Sequence, residues 1–597
     1  MKTLAIILFS LLVSTSIYAQ DKRLKNIDKE LDKILEVTKA AGFAVAVVEG
    51  DKIIYAKGFG YSDYENKIPV DANTLFAIGS STKAFTASVL GILRDDGKLS
   101  FDDNPRDYAP DLEFYNDKMN TNIIIKDLMR HSTGLPRHDG SWYFFPTHNK
   151  DSLLMRIKHQ EPFTGIRQQW YYNNFGFLAQ GVIAEKITGK SWEDNIRDLF
   201  FKPLEMNRSN ATIAEMKSSS NAALGYELKD NIISKMAYYD IAGMSPAGSI
   251  NSSVNDMSKW LITWINDGTY NDKDIIPQNY RDEAMSSQMV VAGKIPDDKF
   301  PDIHFANYGY GWFLQSYKGH YRVDHGGNID GFSANVAFFP SDNIGIVVLA
   351  NQNGSPVPNL VRNTISDRML GEEHSNWTDQ YKENLEKRNK AEAEAEDEPE
   401  TSNVKNTKPS HIKMDYTGSY NNKGYGKFDI IIENDTLFTQ LNTKRQYLHH
   451  YHYDTFEFID VVNGKIDTSG IGNSLKITFS TNDSGDISNA KVAAEPTVDP
   501  IEFKRTPNSI DVDLKTLDGY IGDYEISGTE IKVYIKKEAL YFFVTGQPEY
   551  ELIPTAKHKF SFKTLEGFKI EFIASEDGKI TELKAIQPNG IFTAKRK

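Results

Sequence analysis

The chain has 597 residues, 40% of them hydrophobic and 25% charged, with a formal net charge of −14. That length calls for more than one core, and the acidic balance argues against a nucleic-acid partner, which needs a basic face to displace counterions from phosphate. Cysteine is absent, which excludes disulfides, thiol nucleophiles, thiolate metal sites and lipidation on cysteine.

The N-terminus, MKTLAIILFSLLVSTSIYAQDK (1–22), runs from a lysine through an apolar stretch to small residues. This is the order of a secretory signal peptide, with cleavage expected after Ala19. Its apolar part (4–13) is short against the ~20 residues of a membrane span. The mature protein is therefore expected to be periplasmic or secreted, with no stable membrane span after signal cleavage.

AVAVVEGDKIIYAKGFG (44–60) reads as two strands around a Gly-Asp turn. Next, FAIGSSTKAFTAS (76–88) places three hydroxyl residues and a lysine between a glycine and an apolar run. Phe85, Val89, Ile92 and Leu93 follow at helical spacing, with Gly97 as the stop. ANVAFFP (334–340) and IGIVVLAN (344–351) read as neighbouring buried strands joined by a short turn. Strands at both ends with helices between predict an α+β arrangement in which the two ends share one sheet.

EKRNKAEAEAEDEPETSNVKNTKPS (386–410) is nearly free of apolar residues and reads as a charged linker, helical early and disordered later. Beyond it strand-like runs alternate with Asn, Asp and Gly turns. YTGSY (416–420) recurs as YIGDY (520–524), and each copy closes on an apolar-basic strand, IEFKR or IFTAKRK. Two related accessory β modules, or two halves of one sandwich or barrel, are expected, with the repeat tyrosines as core or turn supports rather than a carbohydrate platform. The boundaries so read are a signal peptide (1–19), a catalytic domain (20–385), a linker (386–411) and β modules at 412–507 and 508–597.

Three stretches carry chemistry. If a helix begins at or just after Ser80, Ser80 and Lys83 lie three positions apart on one face, within hydrogen-bond reach. Burial and the positive helix end favour a neutral amine that can take the serine proton. The plainer alternative is a capping serine with a surface lysine. In WYYNNFGFLAQG (170–181), Tyr172 can relay a proton and Asn174 can orient a substrate amide and the lysine; packing against Trp170 is the alternative. In DHGGNIDGFSANVAFFP (324–340), Gly326 and Gly327 allow close backbone approach. The Asn328 amide can join that of Ser80 in an oxyanion hole, and His325 can bond the reaction centre or a substrate carboxylate.

The order Ser80-x-x-Lys83, Tyr172-x-Asn174, His325-Gly326-Gly327 resembles the serine β-lactamase-related hydrolases: class C β-lactamases, low-molecular-weight penicillin-binding proteins, D-aminopeptidases and certain esterases. The resemblance runs over 27–369 and includes IIIKDLMRHSTGLP (123–136), SPAGSINSSVNDMSKWL (245–261) and YGYGWFL (308–314). It implies an antiparallel sheet flanked by helices beside an all-helical lobe. It also implies that Ser80 is acylated, that Lys83 and Tyr172 manage the protons, that Asn174 contacts substrate, and that Ser80 and Asn328 supply oxyanion amides. One departure stands out: His325-Gly326-Gly327 occupies the place of Lys-Thr-Gly. A histidine that can be neutral fits the peptidase, amidase and esterase branches better than efficient β-lactam hydrolysis.

LHHYHYD (448–454) holds His449, His450 and His452, with His450 and His452 on one strand face; a divalent ion can bind there only if a third ligand converges, and a solvated face is the expectation. No cofactor and no metal is expected. The resulting expectation is an exported serine hydrolase acting through an acyl-enzyme on small-molecule or peptide substrates: D-amino-acid peptides, peptidoglycan fragments from the cell wall, or small esters. The alternatives are a β-lactam-hydrolysing enzyme and a non-catalytic wall- or peptide-binding protein that keeps the fold.

Overall fold

In the computed structural model, residues 21–292, 304–396, 403–441, 444–462, 464–565 and 567–597 are described. The expected signal peptide and the middle of the linker lie outside the described residues. The chain forms two compact units. One holds the residues up to Phe101 with Ala184–Ile241 and Ser245–Ala391; the other holds Asp102–Ile183, Ala242–Met244 and Glu392–Lys597.

The first unit is built on a nine-stranded antiparallel sheet. Its strands are β1 (Gly42–Glu49), β2 (Lys52–Asp63), β3 (Ile68–Pro69), β4 (Met289–Ala292), β5 (Ala306–Tyr308), β6 (Phe313–Tyr317), β7 (His320–Ile329), β8 (Phe332–Phe339) and β9 (Ile344–Ala350). Their order is β4-β5-β6-β7-β8-β9-β1-β2-β3. The two ends of this sequence do share a sheet: β1 pairs with β9, Phe43 opposite Ala350 and Val47 opposite Ile346.

Four helices of the unit accompany the sheet: α1 (Ile27–Thr38), α2 (Lys83–Asp95), α3 (Val254–Ile265) and α4 (Val357–Leu370). Strand alternation sends Phe43, Val45 and Val47 to one face, where they pack with Ile27, Leu31 and Ile34 of α1 and Val357, Val361 and Ile365 of α4. The other face meets α3, whose Trp264 ring lies 6.0 Å from Phe338 of β8. Both faces are covered, so β1 reads as an unbroken apolar run. Helix α2 is tied to α3 by Phe85 stacked on Trp260 at 3.8 Å.

In the second unit, residues 102–183 carry short helices, among them Ile125–Met129 and Asp139–Tyr143. Their anchor is Asp127, fully buried, which accepts from Arg130, Ser132 and both Nε and Nη2 of Arg167 at 2.6–3.1 Å. The C-terminal half forms two β modules, each with its own core. In the first, strands from Gly418–Asn422 to Ile501–Thr506 form a sheet that an added pairing of Arg445–His452 with Thr455–Val462 closes on itself. In the second, eight strands from Gly522–Ile526 to Gly590–Arg596 form a closed barrel.

The repeat seen in the sequence is a repeat of structure. The Tyr420 hydroxyl donates to the Tyr416 carbonyl at 2.7 Å, and that of Tyr524 to the Tyr520 carbonyl at 2.8 Å. All four tyrosines are buried. The early linker is helical through Glu396. Among the described residues no helix is long and apolar enough to cross a membrane.

Candidate active site

Helix α2 does not begin with a capping serine. It is preceded by a 3-10 turn, Gly79–Thr82, that lifts Ser80 to the helix entrance. Gly79 takes φ +51, and a Cβ there would stand 2.8 Å from the Asn328 amide nitrogen. Only glycine fits both the left-handed backbone and the close approach. Ser80 is therefore held against the Asn328 backbone of β7.

Lys83 is the first residue of α2 and is completely buried. Its Nζ lies 3.0 Å from Ser80 Oγ and donates to the Ala247 carbonyl at 2.8 Å. The expected face-sharing of Ser80 and Lys83 is realised, and the surface-lysine alternative fails on burial. Ala247 belongs to the short helix Ser245–Gly248, which Thr86 also holds by donating to the Pro246 carbonyl at 2.7 Å.

Strand β7 brings His325, Gly326, Gly327 and Asn328 to the same place. Pairing with β6 ends at Asp324, whereas pairing with β8 continues to Ile329, so this stretch has an edge that β6 does not cover. Ser81 Oγ donates to the His325 carbonyl at 3.0 Å, locking strand to turn. A Cβ on Gly327 would collide with the Ile78 carbonyl and reach 3.1 Å from the Ser80 nitrogen.

His325 is 1% exposed. Its Nδ1 lies 2.6 Å from the Gly326 carbonyl and must donate to it, which leaves Nε2 to accept from the Tyr308 hydroxyl at 3.1 Å. Burial, and then the charge of Lys83, push the imidazole down to about 4. The ring is neutral at neutral pH. Beside it Asp324 is buried: burial pushes its carboxyl up, but the charges of Arg322 and Arg362 hold it below its usual range.

Tyr172 and Asn174 lie in the second unit, in the segment leading into helix Asn174–Thr188. Sequence reasoning missed the residues that shape this segment. The His131 ring sits 4.4 Å from that of Tyr172, and His131 Nδ1 accepts from the Asn173 amide at 3.1 Å. Arg137 stacks over Tyr172 at 4.8 Å. Asp139 accepts the Asn174 side-chain amide at 2.8 Å, which turns the Asn174 oxygen the other way as acceptor. Asn173, the residue skipped by the Tyr-x-Asn pattern, accepts from the Gly176 amide at 2.8 Å and pins the helix entrance. The left-handed His131 (φ +58) was the unreadable element.

The histidines of 448–454 do not converge. His450 Nε2 meets the Tyr453 carbonyl at 2.9 Å, and a bulge breaks the register between His450 and His452. Among the described residues no group of three or more His, Asp and Glu is arranged to hold a metal ion.

Sheet, helices and the Ser80–Lys83 entrance together describe a β-lactamase-type fold. Residues 27–367 match the family model for beta-lactamase, and the chain belongs to that family. Residues 402–505 match a second model, described as a domain of unknown function, DUF3471. "Protein flp" of Staphylococcus aureus (strain N315) is 27% identical over 344 residues, 56% of this chain and 65% of that protein. The chain thus spans just under two thirds of the length of that relative. "Unguisins hydrolase ungD" of Aspergillus violaceofuscus is 24% identical over 440 residues, 68% of this chain and 76% of that protein. The octameric penicillin-binding protein homologue from Pyrococcus abyssi shares the fold, with a TM-score of 0.54 and 21% identity over 81% of this chain and 100% of its own.

Proposed function

We propose that the protein is an exported serine hydrolase that cleaves amide or ester bonds through an acyl-enzyme on Ser80. The supporting observation is the buried Lys83 amine 3.0 Å from the Ser80 hydroxyl. In this reading Ser80 Oγ attacks the substrate carbonyl, Lys83 takes its proton, and Tyr172 shares in managing the protons. The amides of Ser80 and Asn328 stabilise the oxyanion. The leaving amine or alcohol departs with the proton, and water then releases the acyl group. Asn174 and the open edge at Gly326 and Gly327 bind the substrate amide.

The substrate classes are D-amino-acid peptides, cell-wall peptide fragments and small esters. A relative named as a hydrolase of unguisins fits the peptide choice. Neutral His325 gives no fixed cation for a substrate carboxylate, so cephalosporin hydrolysis is expected to be slow. The proposal of export rests on the signal-peptide order of residues 1–19, and an exported mature chain should begin at Gln20 by mass spectrometry.

The experiment is a panel of a chromogenic ester, a chromogenic cephalosporin and D- and L-amino-acid anilides, each with wild type and Ser80→Ala, together with an activated-serine probe. Wild type should turn over an ester or a D-anilide and be labelled, and Ser80→Ala should do neither. Labelling that persists in Ser80→Ala would overturn the assignment.

A further inference from the structure

The segment that shapes Tyr172 and Asn174 is itself held by the first β module. His138, at φ +48, follows Arg137 and precedes Asp139. Its backbone amide donates to Glu495 Oε2 at 2.8 Å. Its Nε2 lies 3.1 Å from the Glu161 carbonyl and donates there, so its Nδ1 accepts from the Tyr425 hydroxyl at 2.8 Å. Three residues on, Ser141 Oγ donates to the Gly424 carbonyl at 2.6 Å. Phe145 then enters the module's core against Tyr425, Phe428 and Phe503. Gly426 leaves room for it, since a Cβ there would stand 2.8 Å from the Phe145 ring.

These contacts are buried and polar on the side nearest Tyr172. His138 is 1% and Glu495 4% exposed. A buried carboxylate aimed at a backbone amide is a directional tie, and leaving either group unmatched is costly. The tie also reaches Arg137. Burial works against the guanidinium charge, but Asp139, then the Tyr172 phenol and Glu495, more than offset it and hold Arg137 above its usual range. The module thus supplies one of the negative charges that keep a cation stacked on Tyr172.

We propose that the first β module is a positioning part of the hydrolytic site: Glu495 and Tyr425 fix the backbone of His138, so that Arg137 and Asp139 hold Tyr172 and Asn174 in their working orientation. This rests on the reading of Tyr172 and Asn174 given under Proposed function. Glu495 and Tyr425 touch no substrate and act only through the segment they hold. Misplacing a catalytic side chain by about 1 Å can cost on the order of 100-fold in rate.

The test uses the full chain and two readouts: the rate of labelling by the activated-serine probe, and hydrogen exchange of peptides covering 137–145 and 170–176. Glu495→Ala should slow labelling about 10-fold or more and speed exchange in both peptides. Glu495→Gln keeps an acceptor for the His138 amide and should recover most of the rate. Tyr425→Phe keeps the core ring but loses the bond to His138, and should lie between them; it also serves if Glu495→Ala fails to fold. Folded Glu495→Ala and Tyr425→Phe that label and exchange like wild type would overturn the proposal. Unlabelled wild type would instead overturn the hydrolase reading and with it the positioning role; faster exchange of 170–176 in the variants would then show only that the module holds this segment.

Discussion

Gly327 lies against Ile78 backbone to backbone: a Cβ on the glycine would stand 2.9 Å from the Ile78 carbonyl carbon and nearer still to its oxygen. This contact seats the His325 strand on the turn that carries Ser80. Gly327→Ala must push strand and turn apart, at about 1–3 kcal/mol of stability. It should cut probe labelling by about 100-fold, because the Asn328 amide leaves the nucleophile. Gly326 differs. A Cβ there would meet only Ala334 O at 3.6 Å and Asn335 Nδ2 at 3.9 Å, ordinary contacts. Gly326→Ala should therefore keep the wild-type melting temperature. Equal destabilisation of the two variants would sink this distinction.

His325 makes stability depend on pH in a definite direction. The unfolded ring takes a proton near 6.5, whereas burial beside Lys83 delays protonation of the folded ring to about 4. Its contribution is complete above pH 6.5 and is lost as pH falls from 6.5 to 4, by about 3 kcal/mol in total. Urea unfolding of wild type and His325→Gln at pH 7.5 and 4.0 isolates the His325 contribution, since all other groups are shared. The stability difference between the two proteins should shift by that amount in favour of the variant at pH 4.0. A difference that stays constant across this range would contradict the buried neutral ring.

The legible parts of the chain were those where local pattern and tertiary role agree. The apolar runs at 44–49 and 344–350 were legible as strands, the second as a buried one, because both faces of the sheet are covered. Ser80 and Lys83 were readable because three residues of helix geometry set their distance. Arg137, His138 and Asp139 were not: His138 sits at positive φ with partners 287 and 357 residues away, and Arg137 and Asp139 meet Tyr172 and Asn174 across a loop. No periodicity encodes such contacts. For the same reason the β modules read as accessory, although the first holds the segment beside Tyr172.

Asp127 should be the most sensitive position of the short-helix segment. The carboxylate is fully buried, while Arg130 and Arg167 expose 13% and 41% of their side chains. Asp127→Asn removes the charge with little change of volume, leaving two guanidinium groups without their shared partner. Because Arg167 can reach water, the loss should sit near the lower end for a broken buried pair, about 3 kcal/mol. Equilibrium urea unfolding measures it. The segment 167–173 should loosen as well, since Arg167 and Tyr171 also bind its backbone to Ser132 and His131. A loss below about 1 kcal/mol would show that the cluster contributes little more than an exposed pair does.

The repeat tyrosines offer a way to separate support from ligand binding. Gly418 and Gly522 each carry a following arginine side chain at their Cα: a Cβ would stand 3.0 Å from Arg505 Nε and 2.9 Å from Arg596 Nε. Arg505 donates to the Thr417 carbonyl at 2.7 Å, and Arg596 donates to the carbonyl of Ile521. With the Tyr420 and Tyr524 hydroxyls bonded to the carbonyls of Tyr416 and Tyr520, each YxGxY corner is closed from inside by its own barrel. Phenylalanine keeps the ring and leaves a buried carbonyl short of its donor, at a cost of about 1–3 kcal/mol. Tyr420→Phe should raise hydrogen exchange in the first module and Tyr524→Phe in the second. A sugar-binding platform would behave in the opposite way, losing affinity for glycan while exchange stayed as in wild type, because a ring that stacks on a ligand must be exposed and these rings are buried.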